Sequence, residues 1–68
     1  MKKVLISGGS GLIGRHLTDI LLQNGYAVAW LSRSVKPYKD VNMYKWDVDA
    51  GYIDPEAILW ADVLVHLA

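Results

Sequence analysis

The sequence predicts an α/β fold: a parallel β-sheet covered by helices on both faces, a three-layer sandwich. Three observations carry that expectation. Short apolar runs recur at Lys3–Ser7, Tyr26–Ser32, Asn42–Asp47 and Asp62–Leu67. The first, second and fourth lack polar alternation, as strands buried on both faces do. Helical segments separate the first run from the second and the third from the fourth, which suits parallel strands joined by right-handed crossovers. The expected strand order is 3-2-1-4.

Taken in chain order, Lys3–Ser7 is β-branched and apolar and stops at the glycines of Ser7-Gly8-Gly9-Ser10-Gly11. The next segment is helical. Ile13, Leu17, Ile20 and Leu21 fall on one apolar stripe, with Arg15, His16, Asp19 and Gln23 on the other side. Asn24-Gly25 ends the helix, and Gly25 suits the left-handed position after a C-cap. The second strand, Tyr26–Ser32, leads into Val35–Asp40, which carries Pro37 and charges and reads as a loop. Asn42–Asp47 is a shorter, more mixed third strand, and Asp49–Asp54 is a turn region around Gly51. Pro55 opens a short helix running to about Trp60, with Asp54 as its N-cap. In the fourth strand, Val63-Leu64-Val65 reads as buried.

Composition narrows the function. Seven basic residues balance seven acidic ones, so no net charge draws the chain to nucleic acid or to an anionic membrane. Without cysteine there is no disulfide framework and no thiolate-held metal. The only histidines, His16 and His66, come with no carboxylates beside both, and no metal site is expected. The apolar run after Lys2 and Lys3 falls short of the roughly 7–15 residues of a signal peptide. No segment approaches the roughly 20 of a membrane span. A soluble, cytoplasmic protein is expected.

The strongest motif is Ser7-Gly8-Gly9-Ser10-Gly11-Leu12-Ile13-Gly14, set between a strand and a helix. Gly9, Gly11 and Gly14 satisfy G-x-G-x-x-G, while Gly8, Gly11 and Gly14 satisfy G-x-x-G-x-x-G. Either way an early glycine makes a tight turn, Gly11 lets the backbone approach a pyrophosphate, and Gly14 lets the helix lie close to the first strand. The N–H groups that open the helix then point at the phosphates. This is the dinucleotide-binding signature of a Rossmann-type fold. An NAD site usually has an acidic residue about 20 residues beyond the glycines, where it meets the ribose 2′-hydroxyl. Here Trp30-Leu31-Ser32-Arg33-Ser34 stands in that place, with no acid between Asp19 and Asp40. Arg33 can face a 2′-phosphate and Ser32 can donate to it, which favours NADP over NAD. Arg15 is either a second cation near the phosphates or an exposed helix residue.

These residues resemble the extended short-chain dehydrogenases/reductases, the NAD(P)-dependent epimerase/dehydratase group. The glycine loop is similar to that family's T-G-G-x-G-F-I-G, with Ser7 in place of the usual threonine. Asp47-Val48 resembles its D-[LV] pair, which contacts adenine. Val65-His66-Leu67-Ala68 resembles its V-x-H-L-A-[GA] segment beside the nicotinamide ribose, and Leu31-Ser32-Arg33-Ser34 resembles an NADP-preferring, sugar-nucleotide-epimerase-like subgroup. The resemblance implies a cofactor site of Gly8, Ser10, Gly11, Leu12, Ile13, Gly14, Ser32, Arg33, Asp47, Val48, Leu67 and Ala68. It also implies an oxidoreductase or epimerase acting on a small-molecule substrate.

No tyrosine here is followed four residues later by lysine, so the family's catalytic Tyr-x-x-x-Lys pair is absent and no catalytic residue is expected. The chain is therefore read as the N-terminal part of an NAD(P)-binding domain. A non-catalytic, NADP-sensing binding module of the same fold is the alternative, and a fragment without activity is a third reading. Of the remaining residues, Trp30, Trp46 and Trp60 read as core or interface aromatics, His16 as solvated, and His66 as packed at the strand end beside the cofactor. Asp47 has a second reading as a strand-terminating turn residue.

Overall fold

The computed structural model describes residues 2–33 and 38–67. Its elements are β1 (Lys3–Ser7), α1 (Leu12–Gln23), β2 (Ala27–Ser32), β3 (Asn42–Asp47), β4 (Tyr52–Ile53), α2 (Pro55–Trp60) and β5 (Val63–His66). They form one sheet in the order β4-β3-β2-β1-β5. β1 pairs in parallel with β2 and β5, β2 in parallel with β3, and only β3–β4 is antiparallel.

The β3-β2-β1-β5 run is the expected 3-2-1-4 order, and β4 is the correction to it. The turn expected over Asp49–Asp54 hides a two-residue edge strand. The Gly51 N–H donates to the Val48 carbonyl at 3.2 Å, and Gly51 takes a left-handed φ of 66°. The chain so reversed pairs Trp46 with Ile53 and Asp47 with Tyr52. Two residues are too few to show a period in the sequence.

Alternation along the strands sorts the core into two clusters. Val4, Ile6, Val28, Trp30 and Val41 face one way, with Leu17, Leu21 and Leu22 of α1 packed on them. Leu5, Ala29 and Leu31 face the other way, beneath Ala57 and Trp60 of α2. Helices on opposite faces are what two right-handed crossovers running in opposite directions produce. The three layers expected from the sequence are present.

Two burial expectations are corrected. Ile13 and Ile20 do not face the sheet and are 75% and 44% exposed; the fully buried positions of α1 are Gly14 and Thr18. Close approach of a small residue to the loop sets the rotation of the helix, and the wider apolar stripe yields to it. Val63 and Leu64 of β5 are 38% and 58% exposed, although their composition reads as a buried strand. Among the described residues β5 pairs with β1 alone, and the six-residue α2 is too short to cover it.

The ends of the helices follow the local sequence. Asn24 caps α1 and Gly25 takes φ 82°. The Gly25 N–H donates to Leu22 O and the Tyr26 N–H to Leu21 O, closing a Schellman motif. The Asp54 carboxylate accepts from the Glu56 N–H at 3.0 Å and Pro55 follows it, as expected for the start of α2.

Candidate functional site

The parallel strands β1, β2, β3 and β5 all point their C-terminal ends to one edge of the sheet. There Ser7 leads into the glycine loop, Ser32 into Arg33, Asp47 into Val48 and His66 into Leu67. Chain progression also reverses here: from β1 the chain moves outward to β2 and β3, then crosses back to β5 on the other side of β1. Open α/β sheets bind ligands at such a switch point.

Three of the four loop glycines have separate structural reasons to be glycine. Gly8 takes φ 79°, the left-handed conformation of the tight turn, and its carbonyl accepts from the Gly11 N–H at 3.3 Å. A Cβ on Gly9 would collide with the pyrrole ring of Trp30. A Cβ on Gly14 would lie 2.6 Å from Gly8 O and Gly9 Cα, so the loop and the first turn of α1 are in direct backbone contact. Gly11 differs from the others. Its φ of −74° suits any residue, and a Cβ there would meet nothing closer than Gly8 O at 3.6 Å. Both readings of the motif are thus structural: Gly8 makes the turn, and Gly9 fits against the sheet.

Gly11 is the N-cap of α1 and offers no side-chain cap. Among the described residues, nothing accepts a hydrogen bond from the N–H groups of Leu12, Ile13 or Gly14. These are the unsatisfied donors of a helix start, carrying its partial positive charge. The first turn contains no acidic residue to quench it.

Two clefts meet at Gly8. One, of about 380 Å³, is lined by Gly8, Gly11, Leu12, Ile13, Gly14 and Leu67. The other, of about 360 Å³, is lined by Gly8, Ser10, Leu31, Ser32, Arg33, Trp46 and Val48. Ten of the twelve residues expected from the sequence therefore line one continuous edge.

Of the other two, Asp47 lines a different cleft and Ala68 is not among the described residues. The Asp47 carboxylate accepts from the Ala50 N–H at 3.2 Å and faces a neighbouring cleft with Lys45 and Tyr52. Its side chain does the work of a turn residue. Ala68, like Ser34 and residues 35–37 of the expected loop, lies outside the described residues. Leu31 and Trp46 line the second cleft and were not singled out as site residues. Their signal was positional, since each immediately precedes a residue that was.

Among the described residues the one ion pair joins Lys39 to Asp19 at 2.7 Å, on the far part of α1, so Arg33 and Arg15 have no acidic partner at this edge. His66 is exposed and not packed away, but its Nδ1 meets the Ser7 hydroxyl across the β1–β5 pair, and its ring lies edge-on to Trp46. Among the described residues no cluster of His, Cys, Asp or Glu could hold a metal ion, and no helix is long and apolar enough to cross a membrane.

A parallel sheet that runs from its first strand through a glycine turn into a helix, with the strand order reversing beside that turn, defines a Rossmann-like α/β protein. The family model of the NAD dependent epimerase/dehydratase family matches residues 4–68, and the chain belongs to that NAD(P)-dependent family. It is similar to the decarboxylating sterol-4-alpha-carboxylate 3-dehydrogenase of Dictyostelium discoideum, 37% identical over 73 residues that span 100% of this chain and 22% of that protein. It is also similar to epimerase family protein YfhF of Bacillus subtilis (strain 168), 32% identical over 66 residues, or 96% of this chain and 22% of that protein. The chain thus spans about a fifth of the length of these relatives.

Proposed function

We propose that the loop from Gly8 to Gly14 holds the pyrophosphate of a dinucleotide, that NADP is preferred to NAD, and that the chain is the cofactor-binding part of an NAD(P)-dependent oxidoreductase of the epimerase/dehydratase type. Gly11 carries the reading. Among the described residues neither backbone strain nor packing requires glycine there, and the open space beside it leaves room for a pyrophosphate. The N–H groups of Leu12, Ile13 and Gly14, which have no acceptor among the described residues, fit a phosphate by hydrogen bonding and by helix dipole. A bound dinucleotide supplies the hydride donor or acceptor, and these residues hold and orient it.

At the adenosine end Arg33 supplies positive charge and Ser32 a hydroxyl, beside Val48 and the Trp46 ring. Among the described residues no carboxylate lines that cleft to take a ribose 2′-hydroxyl, which supports the NADP preference. Asp47 shapes the turn that presents Val48. At the nicotinamide end Leu67 and Ala68 follow β5. A dehydrogenase and an epimerase-family protein match the same stretch, which supports a cofactor-binding role common to all three.

Titration of the full-length protein with NADP and NAD tests the reading. Gly11→Val is expected to weaken both dinucleotides at least about tenfold with the melting point nearly unchanged, because its side chain enters only ligand space. Arg33→Ala is expected to weaken NADP by about 10–100-fold and NAD by little, the size of a lost hydrogen bond to a charged group. Unchanged affinity in Gly11→Val overturns the loop assignment. Equal losses in Arg33→Ala overturn the 2′-phosphate assignment.

A further inference from the structure

The glycine loop rests on an aromatic side chain that its motif does not contain. Trp30, in the middle of β2, is 4% exposed. Its pyrrole ring occupies the space a Cβ of Gly9 would need. Its indole N–H donates to Thr18 Oγ1 at 2.9 Å, and that buried hydroxyl donates to the Gly14 carbonyl at 2.7 Å. One side chain therefore touches the early turn of the loop directly and grips the first turn of α1 through Thr18. The opposite side of the assembly is also tied. Trp30 stacks on Tyr38 with ring centroids 4.7 Å apart, and the Tyr38 hydroxyl donates to Asp19 Oδ1 at 3.2 Å.

We propose that Trp30 is a positioning residue for the dinucleotide. It sets the spacing between Gly9 and Gly14, and with it the direction in which the N–H groups of Leu12, Ile13 and Gly14 point. This inference rests on the pyrophosphate reading above. The physical ground is preorganisation: donors held in place before the ligand arrives lose little freedom on binding. The link is also specific. A buried threonine hydroxyl in mid-helix can satisfy its donor on the carbonyl four residues back without help, but its acceptor side then needs a partner. The Trp30 N–H is that partner, and phenylalanine or leucine at the position has no N–H to offer. A tryptophan that merely fills the core would support the melting point and leave phosphate recognition alone.

The experiment uses the full-length protein with Thr18→Val, Thr18→Ser, Trp30→Phe and the double variant Trp30→Phe/Thr18→Val. Each is titrated with NADP and with adenosine 2′-monophosphate, which lacks the pyrophosphate, and each is melted. Thr18→Val and Trp30→Phe are expected to weaken NADP by about three- to tenfold, the size of one lost buried hydrogen bond. The double variant loses little more than either single one, because both break the same link. Thr18→Ser keeps the hydroxyl and binds as the wild type does. Adenosine 2′-monophosphate binds all of them alike. Variants that melt lower but bind NADP unchanged overturn the proposal, as does an equal loss of both ligands. If the wild-type protein binds no dinucleotide, the pyrophosphate reading falls and this one with it; wild-type binding that the variants retain removes this inference alone.

Discussion

The two helices meet the same sheet on different terms. α1 is twelve residues long and docks through its smallest side chains, Gly14 and Thr18, with a buried polar chain running from Trp30 through Thr18 to the Gly14 carbonyl. α2 is six residues long and docks through Ala57, and no buried polar link fastens it to the sheet among the described residues. Its Leu59 is 86% exposed. The difference fits the roles proposed for the two helices. A crossover helix needs only to cover apolar strand residues, and approximate packing serves. A helix whose first turn is proposed to receive a phosphate would have to be held in rotation and in height, which hydrophobic contact alone does loosely and hydrogen bonds to a fixed aromatic do tightly.

Gly14→Ala should break the tighter of the two contacts with the largest effect. The new Cβ would meet the backbone of Gly8 and Gly9 at 2.6 Å, where no flexible side chain can yield. A loss of about 2–4 kcal/mol in chemical denaturation is expected, with dinucleotide affinity falling alongside. That joint loss contrasts with Gly11→Val, where affinity alone should fall. Ala57→Leu is the matching insult to α2. Ala57 is fully buried against Leu5, Ala29 and Leu31, so overpacking should cost about 1–3 kcal/mol. Here NADP affinity should hold in the folded fraction, because α2 contributes nothing to the clefts beside Gly8. A parallel loss of affinity would show that the two faces are coupled. Removing the N-cap with Asp54→Ala should cost about 1 kcal/mol, again without effect on binding.

The smallest effect lies at the far end of α1. The hydrogen bond from Lys39 holds the Asp19 carboxyl below its ordinary value of 3.8, and the same bond raises the Lys39 ammonium above 10.5. A carboxyl whose pKa is depressed by folding contributes stability that is present above pH 3.8 and is lost as the pH falls through its lowered value; the raised ammonium loses its part only as the pH climbs past 10.5. Both groups are open to solvent, so Lys39→Ala should lower the neutral-pH melting point only slightly, and less in high salt. Melts at progressively lower pH should bring variant and wild type together.

Much of the fold and the outline of the candidate site could be read from local sequence. Asn24-Gly25 and Asp54-Pro55 mark helix ends because capping depends on a handful of neighbouring residues. The glycine loop and Arg33 could be placed because parallel strands alternate with helices here, which sends every strand's C-terminal end to one edge. The misreadings share a cause. Ile13 and Ile20 have the period of a buried stripe, and Val63-Leu64 the composition of a buried strand, but burial depends on what covers a residue. β4 was missed because a two-residue strand exists only by virtue of its partner, β3. Asp47 was offered both as an adenine contact and as a turn residue, and its side chain takes up the second role in the Asp47–Gly51 turn.

The sequence by itself therefore determined the layered α/β class, the order of the parallel strands and the place of the glycine loop between the first strand and the first helix, since each rests on periodicity, glycine chemistry or the handedness of crossovers. Only the tertiary structure decided which face of α1 meets the sheet, and which of the glycines are required by the protein and which by empty space. It also decided that a tryptophan from the second strand lies beneath the loop of the first. Those are contacts between segments distant in the chain, and no local pattern encodes the distance between Trp30 and Gly9.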